Sequence, residues 1–414
     1  MKYGLIGEKL GHSFSKEIHN QLGSYDYVLK EIPKDELDAF MKAKDFAGIN
    51  VTIPYKKDVI QYLDFIDDNA RQIGAVNTIV NRDGKLFGYN TDFTGLQKMI
   101  VNEGIKLKDK KVLILGTGGT SRTAHAVAES LQTGEILCVS RSEKEDTITY
   151  EQAVKEHNDA QIIINTTPSG MFPSVDSKPI ELNSFKKLEG VVDVIFNPLR
   201  TRLVIEAQKK GIKACGGLYM LVQQAVSASE FFFDRTIATS RTNEIYSLII
   251  SKKQNIVLTG MPGCGKSTAG KKLSEKLSMP YFDTDEEITK REWKTPAQII
   301  NERGEDQFRI LEEEIIRELS LKNNVIISTG GGAVLRKQNI FHLKNNGLIF
   351  FIDRKIENIR PTSDRPLSDS QEKLKKVFDF RYPLYCAAAD FTVTSDEVIE
   401  HTVNKIIQEF RGIK

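Results

Sequence analysis

Cysteine is scarce in this chain. Four residues out of 414, Cys138, Cys215, Cys264 and Cys386, lie far apart. Such spacing builds neither a disulfide framework nor a zinc-ligand pattern, and it predicts a reducing compartment. Long apolar runs are missing too: none approaches the ~18 residues of a membrane helix, so no membrane partner is expected. Met1–Gly7 lacks the apolar core and small-residue cleavage site of a signal peptide, which makes a cytoplasmic location the expectation. Nor is there an excess of one charge. Lys and Arg number 58 against 56 Asp and Glu, a formal net charge of +2. From Gln254 onward fall 25 of those basic and 24 of those acidic residues. Neither part is therefore a basic arm or an acidic tail, and no nucleic-acid partner is expected. Fixed-period repeats and low-complexity tracts are absent, and the sequence carries no signal for oligomeric state.

What is present is ordinary globular composition, 40% apolar and 28% charged, over a length that suggests two or three domains. Short strand-like runs alternate with helical stretches. Tyr3–Gly7, Asp26–Ile32 and Gly48–Ile53 read as strands and Lys16–Leu22 as a helix; Ile136–Val139, Ile162–Asn165 and Val191–Val194 read as further strands. The alternation predicts an α/β fold throughout, with parallel sheets covered by helices. Ser240–Gln254 is the best boundary, with Ile245–Ile250 ending a helix and 251–254 as a short polar linker.

Two glycine-rich loops follow apolar strands and precede helices. The first, Gly116-Thr117-Gly118-Gly119-Thr120-Ser121-Arg122, follows Lys111–Leu115. Small residues at Gly116, Gly118 and Gly119 let backbone approach a pyrophosphate at a helix N-terminus. By itself this spacing fits a plain strand-to-helix turn equally well. The next strand ends in Ser140-Arg141-Ser142, where an NAD site would carry a carboxylate. A guanidinium there suits a 2′-phosphate, so NADP(H) is favoured over NAD, the alternative being a surface arginine.

Several segments in order then resemble shikimate dehydrogenase. They are Gly11-His12-Ser13-Phe14-Ser15, Gly48–Lys56, Gly74–Thr78, Asn90-Thr91-Asp92, Asn165–Met171 and Gly217–Ala225. The resemblance implies a substrate-binding domain over 1–103, rejoined by helices at about 220–250, and a Rossmann NADP-binding domain over 104–219. It implies NADPH-dependent reduction of 3-dehydroshikimate to shikimate. Lys56 matches the family's catalytic lysine and Asp92 its paired aspartate. Ser13 and Ser15 match the hydroxyls on the substrate carboxylate, and Thr52, Asn77, Asn90 and Gln224 match other substrate contacts. Met220 lies where the family packs near the nicotinamide. Taken singly, Lys56 reads as a solvated helix start, Asp92 as a helix N-cap and Met220 as core. Two departures stand out: Lys16 replaces a usual proline, and Phe196 replaces a usual tyrosine whose hydroxyl touches substrate.

The second loop, Gly260-Met261-Pro262-Gly263-Cys264-Gly265-Lys266-Ser267, is a complete phosphate-binding loop. Backbone N–H groups at Gly263 and Gly265 surround phosphates, Lys266 reaches the β/γ oxygens, and Ser267, followed by Thr268, supplies a hydroxyl to Mg²⁺. Cys264 reads as a small loop residue. Residues 255–414 resemble shikimate kinase, on Tyr281–Asp285, Gly304–Arg309, Glu312, Ser328–Ala333, Asp364–Leu367 and Arg381–Tyr385. That resemblance implies a P-loop domain that phosphorylates shikimate with ATP and Mg²⁺. Asp285 matches the residue that holds and deprotonates the attacking hydroxyl, and Asp283 the carboxylate near the metal beside Ser267. Arg309 and Arg381 match the clamp on the substrate carboxylate, with Glu312 orienting Arg309. Gly331 and Gly332 match the backbone that meets the ring. Arg365 matches a lid arginine on the transferring phosphoryl group, and Arg360 the residue on adenine. Outside the motif, Asp283 and Asp285 read as helix caps and Arg381 as a surface charge.

The expectation is therefore a bifunctional enzyme of aromatic amino acid biosynthesis in which one half makes the other's substrate. Two rivals stand beside it: a half that only senses shikimate, and a quinate-type dehydrogenase joined to an unrelated kinase. Lys56, Asp92, Lys266 and Asp285 are all in place, which disfavours the first, and Arg141 disfavours the second.

Overall fold

Val112–Leu115, Ile162–Ile164 and Ile256–Leu258 are buried on both faces. A strand apolar on both sides has to lie inside a sheet covered twice, and helices do the covering. The computed structural model describes residues 1–10, 14–142, 145–359, 370–395 and 398–412. Ser13, Arg360 and Arg365 lie outside the described residues. The chain divides into two units, Met1–Ile249 and Ile250–Lys414.

The first sheet holds β1 (Tyr3–Gly7), β2 (Tyr27–Glu31), β3 (Gly48–Val51), β4 (Phe65–Ile66), β5 (Thr78–Arg82) and β6 (Lys85–Tyr89), in the order β2-β1-β3-β5-β6-β4. Here the expectation of parallel sheets needs correction. β3 pairs antiparallel with β5, and β5 with β6. The second pairing follows from the Asp83-Gly84 turn, with φ of +53° and +79°, a two-residue hairpin connection of the primed type.

The second sheet holds β7 (Lys111–Leu115), β8 (Glu135–Ser140), β9 (Thr147–Thr149), β10 (Ile162–Asn165), β11 (Gly190–Asp193) and β12 (Lys213–Cys215). Its order, β12-β11-β10-β7-β8-β9, is fully parallel and reverses direction between β7 and β10. In such sheets ligands bind at the carboxyl ends of the strands beside that reversal. Helix Leu218–Phe233 then returns to the first sheet, where the Phe232 ring packs tilted against Tyr3.

The second unit is built on β13 (Asn255–Thr259), β14 (Tyr281–Asp283), β15 (Ile326–Ser328), β16 (Gly347–Asp353) and β17 (Phe391–Thr394), parallel in the order β14-β15-β13-β16-β17. Between the units, helix Thr239–Ser251 ends three residues before β13 begins. The segment in between buries Lys253, so it is packed as well as polar. Among the described residues no helix is long and apolar enough to cross a membrane.

Candidate active sites

The first unit has a cavity of about 370 Å³ at the carboxyl ends of β1 and β3. Ser15, Thr52, Lys56, Asn77, Asp92 and Gln224 line one side; Leu10, Phe14, Phe196, Leu221 and Ala225 supply apolar surface. Lys56 Nζ donates to Asp92 Oδ2 at 2.6 Å. The helix Thr91–Asn102 puts that carboxylate in its first turn, where the helix dipole favours negative charge. Asp92 is not the cap. Asn90 is: its Oδ1 accepts from Phe93 N at 3.3 Å, while its Nδ2 donates to Ala75 O at 2.9 Å. Both ends of the Asn90 carboxamide are thus engaged, and the residue sits behind the cavity wall rather than on it. Asn77 is shared: it faces the cavity, and its Oδ1 accepts from Thr91 N at 2.7 Å.

Met220 is buried among Phe93, Leu96 and Tyr219, in the core rather than on this cavity's wall. His19 and Asn50, which the sequence reading leaves unassigned, do line it. The His19 ring stacks on Tyr27 at 3.8 Å, and its Nδ1 meets Tyr25 Oη at 2.6 Å. Burial pushes His19 down to about 3, against the opposing effect of its hydrogen bond with Asn50, so the ring is neutral. Among the described residues, the cations on the wall are then Lys9 and Lys56. Phe196 stands edge-on to Phe14, with ring centres 6.1 Å apart.

A second cavity, of about 830 Å³, lies at the carboxyl ends of β7, β8 and β10. Gly116, Gly118, Ser140 and Arg141 line it; Gly119 begins the helix Gly119–Ser130 behind them. Gly116 has φ +107°, and a Cβ there would lie 2.9 Å from Thr166 Oγ1, so only glycine fits without strain. Thr166, Thr167, Ser169 and Tyr150 also line the cavity without having been assigned. The Asn165–Met171 run signals the first three, whereas nothing in the sequence marks Tyr150. A bare backbone at a helix N-terminus with Arg141 in the same cavity fits a phosphorylated dinucleotide.

In the second unit a cavity of about 780 Å³ is lined by Gly263, Gly265, Lys266, Ser267, Thr268, Asp283, Asp285, Arg309, Gly331, Gly332 and Arg381. The P-loop closes on itself: Lys266 Nζ donates to Gly260 O and Met261 O, both at 2.9 Å. Ser267 Oγ donates to Asp283 Oδ2 at 2.9 Å, and Tyr281 Oη donates to the same oxygen at 3.0 Å. A hydroxyl and a carboxylate beside a phosphate cradle are hard oxygen donors that fit Mg²⁺. Asp283 also caps the helix Thr284–Glu292, accepting from Asp285 N at 3.0 Å, so it serves as cap and as candidate metal ligand at once. Asp285 does not cap. Burial, then the Asp283 and Glu312 carboxylates, raise Asp285 to about 7, opposed by Lys266 and Arg309.

Arg309 donates to Glu312 at 2.8 Å through Nη1 and to Glu305 at 2.8 Å through Nη2. Arg381 is buried on the same wall rather than displayed at the surface. Gly332 faces the Arg309 guanidinium, where a Cβ would come within 2.2–2.3 Å. Asp285 Oδ1, Glu312 Oε1 and Arg381 Nε are buried with no protein hydrogen-bond partner among the described residues. Buried polar atoms are seldom left so, and a small polar ligand would satisfy them. Pro296, Ala297, Ile300 and Phe308 add an apolar wall; a capping box at Thr295 and Gln298 sets the helix Pro296–Arg303 that carries the first three.

The family model of the shikimate dehydrogenase substrate binding domain matches residues 5–79, and that of shikimate kinase matches residues 262–411. The NADP(+)-dependent shikimate dehydrogenase of Clostridium beijerinckii is 39% identical over 265 residues, spanning 59% of this chain and 97% of the relative. That of Methanococcus maripaludis is 39% identical over 243 residues, 53% of this chain and 87% of the relative. Among solved structures, a chorismate mutase/shikimate 5-dehydrogenase fusion protein from Clostridium acetobutylicum matches with TM-score 0.56 and 35% identity, covering 60% of this chain and 96% of that one. Shikimate 5-dehydrogenase from Thermus thermophilus, solved with NADP(H) and shikimate, matches with TM-score 0.54 and 28% identity over 59% of this chain and 98% of that one.

Proposed function

The chain belongs to the shikimate dehydrogenase family over its N-terminal part and carries a shikimate kinase domain behind it, and from that premise we propose how its residues carry out two consecutive reactions. It reduces 3-dehydroshikimate to shikimate with NADPH and phosphorylates shikimate to shikimate 3-phosphate with ATP. NADPH supplies the hydride and MgATP the phosphoryl group when bound.

In the first unit, Ser15, Thr52, Asn77 and Gln224 hold the polyol acid against the polar wall, with Ser13 assigned to the same task on the family match alone. Lys56 points its ammonium at the ketone oxygen, and Asp92 fixes that ammonium in place. A ketone that accepts a hydride needs a proton on oxygen, and a positioned donor lowers the barrier by stabilising the developing alkoxide. Asn90 acts one layer back, holding the helix that presents Asp92. Gly116, Gly118 and Gly119 form the pyrophosphate turn, and Ser140 and Arg141 hold the 2′-phosphate.

In the second unit, Asp285 accepts the proton of the attacking hydroxyl. Gly263, Gly265, Lys266 and Thr268 cradle the phosphates, and Ser267 with Asp283 would hold Mg²⁺. Arg309 and Arg381 clamp the substrate carboxylate beside Gly331 and Gly332, and Arg365 is assigned to the phosphoryl group by its motif. Phosphoryl transfer asks the protein mainly for positioning and charge neutralisation, which these groups provide.

One observation carries the reading. In each unit the side chains this chemistry needs share one cavity: Lys56 bonded to Asp92 in one, Asp285 with Lys266 and Arg309 in the other. The test is to incubate the purified chain with 3-dehydroshikimate, NADPH and MgATP and to identify the products by mass spectrometry. Shikimate 3-phosphate is the expected product. Shikimate alone would sink the kinase assignment, and unchanged 3-dehydroshikimate the dehydrogenase assignment.

A further inference from the structure

Asp193, the last residue of β11, is fully buried and lines neither cavity of the first unit. Among the described residues its partners are all neutral. Oδ2 accepts from Thr201 Oγ1 at 2.7 Å; Oδ1 accepts from Ile195 N and from Asn165 Nδ2, each at 3.1 Å. A carboxylate without a cation is costly to bury, and a neutral residue would serve packing alone more cheaply. Three hydrogen bonds compensate it, and each leads somewhere specific.

Asn165 is the last residue of β10 and pairs in register with Asp193. Its Oδ1 accepts from Thr167 N at 3.0 Å and Thr167 Oγ1 at 2.7 Å. Thr167 is on the wall of the dinucleotide cavity. Ile195 leads the other way. The next residue, Phe196, is on the wall of the substrate cavity. Ile195 O also accepts from Gly217 N at 2.8 Å. A Cβ on Gly217 would lie 2.0 Å from Val194 O, so this strand end seats directly on the start of helix Leu218–Phe233, which carries Leu221 and Gln224 to the substrate cavity. Thr201 caps the helix Arg202–Lys209 and closes the loop.

We propose that Asp193 is a positioning residue for the reduction, tying the Thr167 wall of the dinucleotide cavity to the Phe196 and Gln224 wall of the substrate cavity so that the two reactants meet at a set distance. The proposal rests on the dehydrogenase reading above. Hydride transfer depends steeply on that distance, and a misplacement of about 1 Å costs on the order of 10²-fold in rate.

The test compares wild type, Asp193→Ala and Asp193→Asn in the full chain. Phosphorylation of supplied shikimate by the second unit of the same molecule reports the amount of folded protein. Asp193→Ala is expected to lower kcat for reduction by about 10²-fold and to raise KM for both NADPH and 3-dehydroshikimate, with phosphorylation unchanged. Asp193→Asn keeps one carbonyl for the two N–H donors, and the Thr201 hydroxyl can turn to accept from the new amide. It is expected to restore kcat to within about threefold of wild type, since all three bonds are remade. Loss of thermal stability in Asp193→Ala with kcat and both KM values unchanged would overturn the proposal, because it describes packing alone. A rise in only one KM would overturn it too, because the two walls would then be independent. A wild-type chain that phosphorylates shikimate but reduces no 3-dehydroshikimate would instead sink the dehydrogenase reading, and this proposal with it.

Discussion

Lys56 donates to Asp92 across 2.6 Å, and the aspartate is available for that bond because Asn90, two residues earlier, takes the cap of the helix. The division of labour is chemical. A cap needs only an acceptor, which a neutral carboxamide supplies. Holding an ammonium beside a reacting oxygen needs a charge.

Replacing either partner should therefore be costly for chemistry and cheap for folding. Lys56→Ala and Asp92→Asn are each expected to lower kcat for 3-dehydroshikimate reduction by about 10²–10⁴-fold. NADPH consumption measures the loss. Because Asn90 keeps the cap, the thermal midpoint of Asp92→Asn should move little, and phosphorylation of added shikimate should be unchanged.

Arg141 lines the cavity of the first unit proposed to hold the dinucleotide. A charge-assisted bond to such a group contributes about 1.5–3 kcal/mol. Arg141→Ala should raise KM for NADPH by about ten- to a hundredfold and leave KM for NADH unchanged. Equal effects on both cofactors would place the arginine elsewhere.

With Asp285 as the proposed base, the second reaction should be sensitive to pH. Its carboxyl is raised from 3.8 to about 7, by burial first and then by Asp283 and Glu312. As a base it must be ionised, so the phosphorylation rate should fall as pH drops through about 7. The stability sign runs the other way. A group whose pKa is raised in the folded state binds protons more readily there, so its contribution is full below 3.8 and lost as pH rises to about 7. Asp285→Asn should abolish phosphorylation, yet without nucleotide it should melt higher than wild type on the alkaline side of that range. Thermal melts across a pH series, set beside pH–rate profiles, check both signs.

Gly332 leaves room for a guanidinium. An added Cβ would come within 2.2–2.3 Å of Arg309, whose flexible end must then leave Glu312 and Glu305. Gly332→Ala should raise KM for shikimate by about tenfold or more, the cost of one weakened charge-assisted bond, with a smaller effect on KM for ATP. Steady-state kinetics with each substrate varied in turn separates the two.

Wherever function is local, the sequence determined it. The P-loop from Gly260 to Ser267 is legible because phosphates are bound by consecutive backbone N–H groups, so the whole device is one stretch of chain. The short apolar runs at Lys111–Leu115 and Asn255–Thr259 declare strands for the same reason. The Asp83-Gly84 turn was equally local, and it was the available sign that the first sheet would be mixed. Tertiary structure decided what depends on distance. Nothing in residue types pairs Lys56 with Asp92, 36 positions on. Three adjacent polar residues give no hint that Asn90 caps while Asp92 faces the cavity. Tyr150 joins the dinucleotide wall, and Asp193 lies beneath both walls, only because parallel strands distant in sequence bring their carboxyl ends together. Hydrogen bonds and charges act over a few ångströms, and across the chain that closeness exists only once the sheets have formed.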